Sequence, residues 1–76
     1  MVYRDRIEID PYICNGKPVI RGTRILVTSI LSQLAAGESI DAIRKGFPGL
    51  TEEDVKAAIE FAKQSVEATG LAAPPD

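Results

Sequence analysis

The hydrophobic period of this chain changes once, and that change limits the folds open to it. Ile7 and Ile9 alternate with Arg6, Glu8 and Asp10, the two-residue repeat of a half-buried strand over 6–10. From Val27 onward apolar residues recur every three or four positions, the repeat of helices with one buried side. A chain of 76 residues has room for one small domain. The expected fold is mainly α with a short N-terminal β element, continuing into a three-helix, helix-turn-helix (homeodomain- or winged-helix-like) unit. Residues 1–70 are expected to form it: 1–26 as β element and basic joint, 27–70 as the three helices. Pro74-Pro75 closes a short segment, 71–76, expected to be a mobile tail.

The joint between the two periods, Asp10 to Val27, is dense in turn-formers. Gly or Pro occupies four positions, three residues are basic, and no acid follows Asp10. Asp10-Pro11 stops the strand, because proline donates no ladder hydrogen bond and Asp favours a turn start. Asn15-Gly16-Lys17-Pro18 is a second turn, in which Asn and Gly tolerate positive φ. Val19-Ile20 and Ile25-Leu26 then flank Arg21-Gly22-Thr23-Arg24. Gly-X at the apex predicts a two-residue hairpin turn of type II′, with Arg21 and Arg24 together beside it. Arms this short need the Ile7–Ile9 strand, or a second chain, to complete a sheet.

The first helix is expected over 27–36, with Val27, Ile30, Leu31 and Leu34 in one stripe and Gly37 as its stop. Ser39 is a suitable N-cap for a short second helix that turns Ile40, Ile43 and Phe47 inward and that Gly46 can end in left-handed geometry. Pro48-Gly49 reads as a turn. Thr51 caps the third helix, Glu52, Glu53 and Asp54 fill its first turn, and Leu50 with Val55 form a hydrophobic staple. Its buried stripe is expected to be Val55, Ala58, Ile59, Ala62 and Val66, with Phe61 at the flank, over a span ending near Ala68.

Composition excludes several chemistries. One cysteine allows no internal disulfide, and the absence of histidine removes the usual zinc sites and His-based catalysis. No cofactor or metal is called for. Lys17 lies between Gly16 and Pro18 but lacks Walker spacing, and no motif joins the scattered carboxylates to a nucleophile, so no enzyme is expected. No apolar run reaches the length of a membrane span, and the N-terminus lacks a signal-peptide core, so a cytoplasmic chain is expected. Small domains without staples commonly gain stability by oligomerising, which makes a homodimer the default.

Charge is unevenly spread. Residues 1–26 hold five basic against three acidic residues, a surplus of +2, while residues 27–76 hold four against eight, a deficit of −4. A nucleic-acid surface needs local positive charge whatever the total. Arg4, Arg6, Lys17, Arg21 and Arg24 are therefore the candidate nucleic-acid-binding residues. They can equally be solvated charges on a small β element, with Arg6 opposite Glu8 or Asp10. The first turn of the third helix, which in a helix-turn-helix meets base edges, is here Glu52-Glu53-Asp54, and three carboxylates suit a phosphate-walled groove poorly. That acidic, Ala-lined helix suits a protein partner better, with Glu53, Ala57, Phe61 and Leu71 as candidate contacts.

Several stretches together resemble a known family. They are Ile9-Asp10-Pro11, Ile13-Cys14-Asn15-Gly16-Lys17-Pro18, Ile20-Arg21-Gly22-Thr23-Arg24-Ile25 and Val27. The likeness continues through Ile30-Leu31, Leu34-Ala35, Gly37-Glu38-Ser39, Phe47-Pro48-Gly49-Leu50-Thr51, Glu53-Asp54-Val55 and Ala57-Ala58. This pattern, over residues 7–62, resembles domain-of-unknown-function family 433. The resemblance implies a short β element before a trihelical unit. It also implies an antitoxin-like partner of a PIN-like nuclease toxin, dimeric and able to bind its own promoter. The family offers no agreed catalytic residues to carry over. A stand-alone DNA-binding regulator and a non-catalytic interaction module are the alternative readings.

Overall fold

The computed structural model describes residues 2–3 and 5–68, residues 2 and 3 in their backbone only. Three short strands, β1 (Val2–Tyr3), β2 (Ile7–Glu8) and β3 (Val19–Ile20), form an antiparallel sheet in the order β1-β2-β3. Ile7 pairs with Tyr3 on one side and Ile20 on the other, which puts Ile7 and Ile20 in the core. The strands thus pair within one chain. Three helices follow: α1 (Val27–Ala35), α2 (Ile40–Gly46) and α3 (Glu52–Ala68).

The strand expected over 6–10 shortens to Ile7–Glu8 because Asp10 turns the chain early. Its Oδ1 accepts the Tyr12 N–H at 2.8 Å, and its carbonyl accepts the Ile13 N–H at 2.9 Å. Val19 bridges to Leu26, and the Ile20 N–H reaches the Ile25 carbonyl at 2.9 Å, so the expected arms do meet. The turn between them differs from the II′ expectation. The Thr23 N–H bonds the Ile20 carbonyl at 3.0 Å, which makes Gly22 the second central residue, and its φ of 78° is the type II geometry. Thr23 closes the loop with its side chain, donating to the Ile20 carbonyl at 2.7 Å and accepting the Ile25 N–H at 3.0 Å.

The helix ends are capped from within. The Gly37 N–H returns to Leu34 and the Glu38 N–H to Gln33, both at 3.0 Å, with Gly37 at φ 92°; this Schellman arrangement satisfies the last carbonyls of α1. Ser39 Oγ accepts the Ala42 N–H at 3.1 Å at the start of α2. Gly46 does not adopt the left-handed geometry expected of it. It is the last residue of α2, and the positive φ falls on Gly49 instead, at 89°. There the Leu50 N–H reaches the Phe47 carbonyl at 3.0 Å, so Pro48-Gly49 forms a type II turn.

The core gathers Ile7, Val19, Ile20, Val27, Ile30, Ile43, Leu50, Val55, Ala57 and Ala58. Leu31, Leu34, Ile40, Phe47 and Phe61 pack partly buried around it. The two staple residues, Leu50 and Val55, are both buried there. The stripe expected on α3 is displaced. Asp54, Val55, Ala57 and Ala58 are its buried residues, whereas Ile59 is 43% and Val66 53% exposed. The sheet is the physical cause: β2 packs on α3 together with α1 and α2, so the covered arc shifts toward Asp54 and Ala57.

Candidate functional site: the basic joint and the third helix

Two loops form the joint. In the first, the chain leaves Ile13 in a tight turn at Cys14–Gly16, where all three residues have positive φ, at 49°, 58° and 81°. Left-handed backbone is costly for Cys, and four hydrogen bonds hold it: the two on Asp10, Gly16 N–H to Ile13 at 3.0 Å and Lys17 N–H to Cys14 at 3.2 Å. In the second loop, Arg21–Arg24 surrounds the type II turn. The loops abut, with Cys14 Sγ lying 3.9 Å from the Arg24 carbonyl. A shallow cleft between them is lined by Glu8, Ile13, Gly22, Thr23 and Arg24.

The candidate basic residues differ in what they pair with. Arg6 turns away from the joint and donates from Nη1 to Asp54 Oδ1 at 3.0 Å, rather than facing Glu8 or Asp10. Arg21 lies 3.8 Å from the exposed carboxylate of Asp5, a contact screened by solvent. Lys17 and Arg24 are exposed and have no ion pair among the described residues. Arg4 lies outside the described residues.

Arg6 instead shares a groove with Glu53, Lys56, Ala57 and Glu60 of α3. Of the residues considered for partner contact, Glu53 is exposed, Ala57 is buried at 9% exposure, and Phe61 is half-buried against the core. Ala57 is thus a core residue whose small side chain leaves the groove open beside Arg6. Leu71 lies outside the described residues, as does the whole of 71–76.

The first turn of α3 is already engaged. Thr51 Oγ1 accepts the Asp54 N–H and Asp54 Oδ2 accepts the Thr51 N–H, each at 3.1 Å. This is a capping box with Asp in the place usually taken by Glu or Gln. Glu52 pairs with Lys56 one turn on, at 3.1 Å. Glu53 alone of the three first-turn acids has no ion pair among the described residues.

Three residues here stand otherwise than their local sequence implies. In sequence Asp54 looks like one of three equivalent first-turn anions, and the Thr-x-x-Asp spacing is the signal that marks it as the capping-box acid. Tyr12, a packing residue on its sequence, instead stands 92% exposed between Pro11 and Ile13, and Ile59, expected in the buried stripe, is 43% exposed. Nothing in the local pattern distinguishes an exposed Ile59 from a buried one. Among the described residues, no helix is long and apolar enough to cross a membrane.

The chain is similar to known proteins over this whole architecture. It is 33% identical over 60 residues to an uncharacterized protein, y4eO, of Sinorhizobium fredii; the match covers 79% of this chain and 27% of that protein. It also superposes on the crystal structure of a DUF433 member protein from Anabaena variabilis with a TM-score of 0.78 and 34% identity, covering 86% of this chain and 64% of that one. The chain therefore spans about a quarter of the length of the first relative and under two thirds of the second. The profile of the family described as "Protein of unknown function (DUF433)" matches residues 7–62, which carry β2, β3, α1, α2 and most of α3, and the chain belongs to that family.

Proposed function

We propose that this domain is an antitoxin-like interaction module. It binds and neutralises a PIN-like ribonuclease in the cytoplasm, works as a homodimer, catalyses no reaction itself, and can repress its own operon. The observation that carries the partner-binding part is the outer seam of α3. Ile59 and Val66 lie seven residues apart, two helical turns, and are 43% and 53% exposed. Ala62 sits between them, half-buried and small enough to let a second helix approach. An apolar seam on a helix suits helix-in-groove recognition. Lys56, Glu60 and Lys63 beside it supply a polar rim.

The first turn of α3 weighs against the stand-alone regulator that reads a major groove with this helix. Its acids are committed to the capping box and to Lys56, and exposed Glu53 would meet phosphates with like charge. The antitoxin reading is tested by affinity capture of the tagged chain from its native host, followed by mass spectrometry. A small nuclease with an acidic active site should be recovered, and Ile59→Asp should lose it. Capture without any nuclease would sink the reading.

A further inference from the structure

The loop from Asp10 to Lys17 carries more structure than a connection needs. It is closed by four backbone-directed hydrogen bonds and holds two non-glycine residues, Cys14 and Asn15, in left-handed backbone. Asn15 tolerates this geometry but Cys14 is strained by it, and such strain concentrates where a surface is held for use. A Cβ placed on Gly16 would lie 3.7 Å from the Pro11 Cα, so the two sides of the loop touch. Tyr12 and Lys17, the residues that follow Pro11 and Gly16, therefore flank the same closure.

On this rigid loop Tyr12 is 92% exposed, far more than Ile59 or Val66. One exposed ring is ordinary on a protein surface, but here it stands on the loop that meets the basic turn, with its π face open to a stacking partner. The two loops that meet here also carry the two basic residues of the joint that have no ion pair among the described residues. Lys17 is one. Arg24 is the other, brought close by the 3.9 Å contact between Cys14 Sγ and its carbonyl and by the cleft it shares with Ile13. Arg6 is taken up by Asp54, and Arg21 faces Asp5.

We propose that this corner binds single-stranded nucleic acid, with a base stacked on Tyr12 and phosphates beside it met by Lys17 and Arg24. Stacking on a protein ring requires an unpaired base face, which a duplex hides. Two cations are few for a duplex, where tight binders neutralise roughly 6–10 phosphates, but they suffice for a short single-stranded site. Glu8 lines the same cleft as Arg24, and its carboxylate disfavours a phosphate inside the cleft itself. The inference concerns the β joint and does not depend on α3 holding a nuclease.

The test is fluorescence anisotropy at low salt with labelled oligothymidine and oligouridine of about 12 nucleotides, within the range of roughly 4–16 that single-strand sites span, and with a duplex of equal length. The single strands should bind at least about 10-fold tighter than the duplex, and comparison of the two single strands identifies DNA or RNA as the source. The log–log salt slope should be about −1.4, from two phosphates at about 0.7 each. Tyr12→Ala should weaken binding roughly 5- to 100-fold, the loss expected of one base stack, while Tyr12→Phe stays within about 2-fold. Lys17→Ala should halve the slope. Three results would each overturn the proposal: no binding of either single strand, a preference for the duplex, or equal binding by Tyr12→Ala. Binding by a captured protein that Tyr12→Ala abolishes, without nucleic-acid affinity, would assign the corner to a protein instead.

Discussion

Arg6 and Asp54, 48 positions apart, meet at 3.0 Å and tie the sheet to the start of α3. Asp54 is 8% exposed, and its carboxylate serves two ends at once, with Oδ1 on Arg6 and Oδ2 on the Thr51 backbone N–H. The same residue therefore closes the capping box and anchors the β element. Truncating it should cost more than an ordinary cap.

Asp54→Ala is expected to destabilise the domain by about 2–3 kcal/mol, combining a lost cap with a lost charge-assisted hydrogen bond. Arg6→Ala should cost about 1–2 kcal/mol, because Arg6 is 43% exposed at its side chain and water can partly replace it at Asp54. Urea denaturation of both single variants and the double variant forms a cycle with an expected coupling on the order of 1 kcal/mol. Strict additivity would mean that the ion pair contributes nothing to the junction.

Thr51→Ala and Ser39→Ala each remove one side-chain cap and should each cost about 1 kcal/mol. The caps sit on different helices and share no partner, so the double variant should show the sum. Thr51→Ala should also be less harmful in an Asp54→Ala background, since both belong to one box.

Gly46 and Gly49 make opposite predictions three residues apart. Gly49 has φ 89°, and an alanine there would be forced into left-handed backbone at a cost of about 1–2 kcal/mol. Gly46 is helical, with open space where a Cβ would go, so Gly46→Ala should raise stability by about 0.5–1 kcal/mol. Thermal melts of the two variants settle the comparison. A stabilising Gly49→Ala would contradict the type II turn.

Ile59→Asp probes the seam on α3. Being 43% exposed, Ile59 should tolerate the change with a loss below about 1.5 kcal/mol. The same change should abolish partner capture if the seam is the contact. Affinity capture with the variant beside the parent chain reads the result. Intact partner binding would move the interface elsewhere.

Glu52→Lys with Glu53→Lys reverses the charge of the first turn of α3. If this turn points away from nucleic acid, binding and its salt slope should change by less than about 2-fold. A large gain in duplex affinity would return α3 to the groove.

Much of the fold was legible because short-range physics dictates it. The change of period placed the sheet before the helices. Ser39 and Thr51 were readable as caps, since a hydroxyl before a helical repeat has one good use. Gly37 and Pro48-Gly49 were readable as stops and turns. The turn at Gly22 is legible in its place but not in its type, because its class depends on which carbonyl the Thr23 N–H finds. The candidate site was less legible. Of the five basic residues singled out, Arg6 had its partner 48 positions away, a distance at which no local pattern speaks.

By itself the sequence determined the order of elements, the positions of the caps and turns, and membership of the DUF433 family, all properties of residues near one another or of the whole string. Only the tertiary structure decided which charges are spent and which side chains meet water. Packing of β2 on α3 turned the helix, drew Asp54 and Ala57 inward, and left Ile59 outside. The Asp10 turn and the left-handed residues after it held Tyr12 out. Exposure and ion pairing are set by what arrives from elsewhere in the chain, so the exposure of Tyr12 and Ile59, and the lack of an ion pair among the described residues at Lys17 and Arg24, emerge only after the chain has folded.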